Sequence, residues 1–333
     1  MAQFSLVQVT SPLLLAVPNV SEGRDTGTIA AVGRAFVGLD RTDESSPAAS
    51  TAGVGGAAGV RLLDVHSDPD HDRSVFTLAA PRAHIAEAML RGARAAVESV
   101  DVMRSPDRGQ HPRVGALDVA PIVYLDEGSR GPACAEALVV ADRIGLELEV
   151  PVFLYGELAG GRTRAQLRRG GVRQLAERMA ACPPDGAPIA NGVAEHVRAD
   201  FGPARLHPTA GATLVAAREP LVAFNVTLSA PAKPDVARAI AARIREGGEE
   251  GLPGVRAIGV ALGDGLVQVS MNIERPLEVP LAVVVKAVRK HASVARAELV
   301  GLAPSAALEG FPEDLLPRGF DLERHLIEKA LGS

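Results

Sequence analysis

Apolar positions in the second half of the chain follow two distinct periods, and those periods predict its elements. Over Leu221–Leu228, Val222, Phe224, Val226 and Leu228 alternate with Asn225 and Thr227, the period of two of a strand with one buried face. Val267, Val269, Met271 and Ile273 repeat that pattern over Leu266–Ile273. Elsewhere the period lengthens. Val236, Ala239, Ile240 and Ile244 form one stripe, and Leu281, Val284, Val285 and Val288 recur at i, i+3, i+4 and i+7. Helices are therefore expected over Asp235–Glu246 and Leu281–His291, with further strands at Val255–Ala261 and Ala297–Leu302. The order is βαββαβ, the ferredoxin-like or split-βαβ unit.

The faces opposite the apolar ones carry Asn225 and Thr227 on one strand and Gln268, Ser270 and Asn272 on the other. Neutral hydrogen-bonding groups suit a face covered by something polar, with a plain solvated sheet as the alternative. The first half repeats the order more loosely: strand Leu13–Val17, helix Thr28–Phe36, strands Val60–Val65 and Ser74–Leu78, helix Ala83–Val100, strand Ala116–Tyr124. A helix over Pro132–Leu146, a strand over Val150–Tyr155 and one Arg-rich helix over Arg164–Ala181 extend it, and Pro183–Pro208 returns the chain irregularly. The expected architecture is α/β (α+β), two ferredoxin-like subdomains, and polar open faces turned inward would make a ligand tunnel between them. Residues 1–219 and 220–308 form the subdomains, and 309–333 a helical tail. Residues 41–58, rich in Ser, Ala and Gly without apolar period, read as a flexible insert.

Composition narrows the function. The chain has 333 residues, 47% apolar and 23% charged, as in an ordinary globular enzyme. Aromatics make up 3% with no Trp, and the net charge is −5, which together argue against stacking or tracking nucleic acid. Cys134 and Cys182 form no CxxC pair, so a reducing cytoplasm fits. The start has no basic leader and no run long enough to span a membrane.

Candidate chemistry concentrates in a few loops. His111 stands before Pro112, which biases it toward an extended or turn backbone at the entry to a strand, where an imidazole can exchange protons near neutral pH. Asp118 in the following strand could orient that ring or pair with a basic neighbour. The run from His66 to Arg73 packs His66, Asp68, Asp70, His71 and Asp72 together, so a metal site using His66, Asp68, His71 and His111 is an open alternative. Loops around Asn19 and Ser21, around Gly202 and Pro203, and around His207, Thr209 and Gly211 combine small residues with donors, as pockets and plain turns both do. Arg113 and the cluster Arg162, Arg164, Arg168 and Arg169 are candidates for binding carboxylates.

Taken in order, VPNVSEGRD (17–25), LLDVHSDPDHDRSVFTL (62–78), HPRVGALDVAP (111–121), HPTAGAT (207–213), LVAFNVTL (221–228), VQVSMNI (267–273) and ELVGLAP (298–304) closely resemble the glutamate formiminotransferases, over nearly the whole chain. The resemblance implies facing α/β subdomains and transfer of a formimino group between N-formimino-L-glutamate and tetrahydrofolate, a step of histidine degradation and one-carbon metabolism. It implies His111 as the catalytic base, a folate-binding stretch from Gly202 to Gly211, and a second folate contact around Gly251–Ala261. Substrate or folate contacts are expected at Asn19, Ser21, His66, Arg73, Arg113, Asp118, Gly202, Pro203, His207, Thr209, Gly211, Asn225, Gln268 and Asn272. Tetrahydrofolate would be a co-substrate, with no metal and no cyclodeaminase domain, and the assembly a homodimer. Relatives sharing the HSDPDH block carry Asn where this chain has Asp72, an exchange that costs affinity for an anionic substrate unless Asp72 pairs with Arg73. The other readings are a metal-dependent hydrolase and a non-catalytic sensor of a folate-like ligand.

Overall fold

The computed structural model describes residues 13–39, 54–56, 59–104, 112–181, 196–263 and 265–332. In chain order the first sheet and its helices are β1 (Leu13–Ala16), β2 (Asn19–Val20), α1 (Thr26–Val37), β3 (Val54–Gly55), β4 (Arg61–Asp68), β5 (Arg73–Pro81), α2 (Arg82–Ser99), β6 (Leu117–Val123), α3 (Arg130–Glu147), β7 (Val152–Leu154), α4 (Arg164–Arg168), α5 (Gly171–Ala180) and β8 (Thr213–Arg218). The second set is β9 (Val222–Leu228), α6 (Pro234–Ile244), β10 (Val255–Ala261), β11 (Val267–Ile273), α7 (Leu281–Arg289), β12 (Val294–Val300) and α8 (Ile327–Gly332). Among the described residues no helix is long and apolar enough to cross a membrane.

The second set builds a four-stranded antiparallel sheet in the order β10-β11-β9-β12. Within the βαββαβ unit that is second, third, first, fourth, the arrangement that lets both helices cover one face. Val222, Phe224, Val226 and Leu228 meet Ile240, Ile244, Val284 and Val288 in that core. Burying each large aliphatic or aromatic side chain contributes about 1.5–3 kcal/mol. The same order recurs in the first sheet, where β4-β5-β1-β6 lie side by side and antiparallel. Helices α1, α2 and α3 cover one face through Ile29, Phe36, Ile85, Met89 and Val140.

Three features depart from the sequence reading. Strand β8 lies where the pattern ended in a loop, and it pairs parallel to β6 and β7, widening the first sheet to eight strands. The single Arg-rich helix is two, because Gly170 and Gly171 hold left-handed backbones at φ 70° and 65° between α4 and α5. Part of the insert is ordered as β3, an edge strand on β4, while residues 41–53 and 57–58 lie outside the described residues. The tail after β12 is mostly short 3-10 turns, with α8 its one α-helix among the described residues. It straps both halves: Phe311 packs on Phe224, and Ile327 joins Leu15, Leu63, Val123 and Leu302.

Uncovered faces of the two sheets meet. Asn225, Thr227, Gln268 and Ser270 are all buried, so the neutral polar face is covered by the first sheet rather than by solvent. Polar bridges cross the seam: His66 Nε2 reaches Glu298 at 3.5 Å, His71 Nε2 lies 3.4 Å from Gln268 Oε1, and Arg164 stands 3.6 Å from Glu274.

Candidate functional site

Between the two sheets lies a cleft with about 820 Å³ of empty space, partly open to solvent. Its first-sheet wall includes Asn19, Arg73, Thr77, Arg164, Arg168 and Arg218. The second-sheet wall includes Ala223, Asn272, Gly301 and Leu302, with Ile327 from the tail. Among the described residues, four guanidinium groups line it and no carboxylate does. A smaller pocket of about 310 Å³ adjoins it, lined by Asn19, Ser21, His71, Asp72, Arg73, Pro112, Arg113, Asp118 and Arg168. Asn19, Arg73 and Arg168 belong to both walls.

The sequence places Asn19 and Ser21 there because β2 is wedged between β5 and β6, with Asn19 opposite Val75 and Val119. A register shift in the β2–β6 pairing accompanies the burial of Asp118. That carboxylate accepts from the Val114 amide at 2.7 Å and the Gly115 amide at 3.3 Å, and its other oxygen pairs with Arg168. Ser21 Oγ donates to the Gly115 carbonyl at 2.7 Å, and Arg113 donates to the Asp72 carboxylate at 3.0 Å. The segment from Arg113 to Gly115 is thus tied at three places to the pocket wall.

Asp72 sits at φ 48°, a left-handed backbone that Asn and Asp adopt more readily than other side chains. Its partners are Arg113 and, at 3.7 Å, Arg24; the pairing with Arg73 considered from the sequence is not made. Asp118 is held by the backbone and by Arg168, the basic neighbour that the sequence reading offered as the alternative partner. His111 itself lies outside the described residues; Pro112, the next residue, lines the smaller pocket.

The remaining expected residues divide. Arg73, Asn272, Asn19, Ser21, Arg113 and Asp118 line the cleft or its adjoining pocket. His66, Asn225 and Gln268 lie on the seam: Glu298 bridges His66 and Asn225, and Gln268 faces His71. Gly202, Pro203, His207, Thr209 and Gly211 line neither cavity. Gly202, at φ 78°, lets its loop press on α3, since a Cβ there would come within 2.8 Å of the Gly145 backbone. His207 Nδ1 accepts from the Ala210 amide at 3.0 Å and closes a turn that Gly211 completes. Gly251–Ala261 supplies β10, at the far edge of the second sheet, with no residue in either cavity.

Electrostatics mark the same region. Loss of water around Arg73 holds its pKa below the usual guanidinium value, with Arg168 adding repulsion and Asp68 opposing it. Arg218, likewise desolvated, drops to about 10, with Tyr155 beside it and Arg164 repelling. Burial also lowers His71, partly offset by Asp68. Burial would raise Glu298, but hydrogen bonds from His66 and Asn225 outweigh it and bring the carboxyl down to about 2. From the Arg cluster, Arg164 and Arg168 line the cleft, whereas Arg162 closes on Asp200 and the Leu154 carbonyl. Arg218 was not foreseen. Its signal was a charged residue ending an apolar run, Thr213–Ala217, at the carboxyl end of a parallel strand, where ligands of such sheets gather. Among the described residues no group of three His, Cys, Asp or Glu side chains is placed to hold a metal.

The family model described as "Formiminotransferase domain, N-terminal subdomain" matches residues 13–218. A protein of Streptococcus pyogenes named glutamate formimidoyltransferase is 35% identical over 95% of this chain and 97% of its own length. One of the same name from Thermoplasma acidophilum is 31% identical over 96% of this chain and 97% of its own. The formimidoyltransferase-cyclodeaminase of Sus scrofa is 35% identical over 90% of this chain but only 51% of its own length. With the family model covering most of the chain and these relatives aligned nearly end to end, the protein is a transferase that belongs to the glutamate formiminotransferase family.

Proposed function

We propose that the protein transfers the formimino group of N-formimino-L-glutamate to N5 of tetrahydrofolate, giving 5-formiminotetrahydrofolate and L-glutamate. The observation that carries this reading is the cleft between the two sheets, lined by four guanidiniums and no carboxylate. Both substrates bear carboxylates, and a guanidinium binds them in paired hydrogen bonds. Neutral donors and acceptors at Asn19, Thr77 and Asn272 suit the amide-like edge of a pterin.

In the reaction N5 attacks the amidinium carbon, and the C=N π pair moves onto the terminal nitrogen. His111 takes the proton from N5 and returns it to the glutamate nitrogen. The bond from carbon to that nitrogen then breaks, restoring C=N on the folate and releasing glutamate as an amine. A histidine, with its pKa near neutrality, suits both proton transfers. The ties of Arg113, Val114 and Gly115 to Asp72, Asp118 and Ser21 fix the chain that follows His111. Precise holding of this kind lowers the entropic cost of aligning two reactants.

The test is glutamate release from N-formiminoglutamate with each component omitted in turn. Release should require tetrahydrofolate and match its conversion one for one. Release without tetrahydrofolate would instead identify a hydrolase, and no release with both present would reject the reading.

A further inference from the structure

The arginines of the cleft are not equivalent. Arg168 is neutralised by Asp118 and Arg164 by Glu274 at 3.6 Å. The buried Nε of Arg73 has no hydrogen-bond partner, and among the described residues no carboxylate stands within ion-pair distance of its guanidinium. Arg218 donates to the Glu219 carbonyl at 2.8 Å and lies beside Tyr155, with no carboxylate within ion-pair distance among the described residues. Asp68 and Glu298 act on Arg73, and Glu274 on Arg218, only from beyond ion-pair distance; a desolvated cation with no carboxylate in contact is costly to a fold, and a ligand anion removes that cost.

The two unneutralised arginines stand at opposite ends of the cleft. Arg218 pairs with Val123, Val123 with Leu15 and Leu15 with Ala79, so three strand spacings, about 14 Å, separate the levels of β8 and β5. Arg73 stands a further stretch from Ala79 along β5, roughly 20 Å in extended chain. One carboxylate cannot serve both. Arg73 also lines the smaller pocket beside Pro112, whereas Arg218 is accompanied by Arg164 and Tyr155 at the other end.

We propose that the cleft holds two separate carboxylate sites, Arg73 for the carboxylate of the formimino donor and Arg218 for the glutamate tail of the folate acceptor. This rests on the formimino-transfer reading and adds a division of labour to it. The end next to Pro112 is where the donor must react, so its anchor is Arg73. Folate is long, and with its pterin at that end its tail points toward Arg218.

Equilibrium dialysis and steady-state kinetics on Arg73→Gln and Arg218→Gln test the assignment, with tetrahydropteroate, which lacks the glutamate, as a second acceptor. Losing a charged hydrogen-bonded pair weakens binding about 10- to 100-fold. Arg218→Gln should weaken tetrahydrofolate by that factor, leave the KM for formiminoglutamate unchanged, and bind tetrahydropteroate as tightly as tetrahydrofolate. Arg73→Gln should raise the KM for formiminoglutamate and weaken binding of the product glutamate, without changing tetrahydrofolate affinity. Circular dichroism checks folding, and the Lys variants, which keep the charge, should recover part of each loss. The assignment is overturned if both Gln variants weaken the same ligand, as a single diacid spanning the cleft would require. It is equally overturned if Arg218→Gln still favours tetrahydrofolate over tetrahydropteroate as the unmodified protein does. Dialysis decides this without turnover, so an inactive wild-type protein would reject formimino transfer separately.

Discussion

Replacing Arg113 by Ala tests how the chain after His111 is held. The guanidinium donates to the Asp72 carboxylate at 3.0 Å and to the Asp72 carbonyl at 3.3 Å, and both residues are buried. Removing one member of a buried ion pair leaves the other charge desolvated, a cost of about 3–5 kcal/mol. Arg24, half exposed and 3.7 Å from the other carboxylate oxygen, offsets a part, so about 3 kcal/mol is the expected loss. For a cooperative unit of this size that corresponds to roughly 6–12 °C in Tm. Asp72→Asn should cost less, about 1–2 kcal/mol, because the amide oxygen still accepts from Arg113 and Asn tolerates the left-handed backbone. Urea titrations followed by far-ultraviolet circular dichroism measure both. If Arg113→Ala destabilises no more than Asp72→Asn, the pair does not anchor this segment and the reasoning fails.

Other outcomes follow from the same geometry. Glu298 has its folded pKa near 2 against 4.5 unfolded, so its contribution to stability is full above about pH 4.5 and is lost as pH falls toward 2. Glu298→Gln should flatten that acid limb in denaturation curves, and an unchanged limb would dismiss the His66–Glu298 bridge. Phe311→Ala removes a ring packed edge-on to Phe224 at 5.8 Å and should cost about 3–5 kcal/mol, read by urea denaturation. Exhaustive dialysis against a chelator should leave formimino transfer intact, and activity restored only by an added divalent ion would revive the hydrolase reading.

Much of the fold was legible because period fixes which face is apolar. The neutral faces of β9 and β11 carried a correct hint as well: Asn225 and Gln268 are buried where two sheets meet. Strand β8 escaped because a parallel strand buried on both faces shows no alternation, only the short apolar run Leu214–Ala217 between a turn and an arginine. The break between α4 and α5 lies at Gly170-Gly171, within the stretch read as one Arg-rich helix. Of the residues expected at the site, Asn19 and Arg73 line the cleft and Arg113 the adjoining pocket, carried there by short segments. Gly202, by contrast, sits where its loop packs against Gly145. Which arginines lack a counter-ion depends on partners far along the chain, Asp118 for Arg168 and Glu274 for Arg164, and no local pattern encodes that.

The most direct measurement compares His111→Ala with the unaltered protein in tetrahydrofolate-dependent glutamate release, with folate affinity determined in parallel. A proton-transferring imidazole accounts for about 10²- to 10⁴-fold in rate, so turnover should fall by that factor while tetrahydrofolate binds as before. Turnover close to that of the unaltered protein would show that position 111 moves no proton in the reaction and would contradict the account.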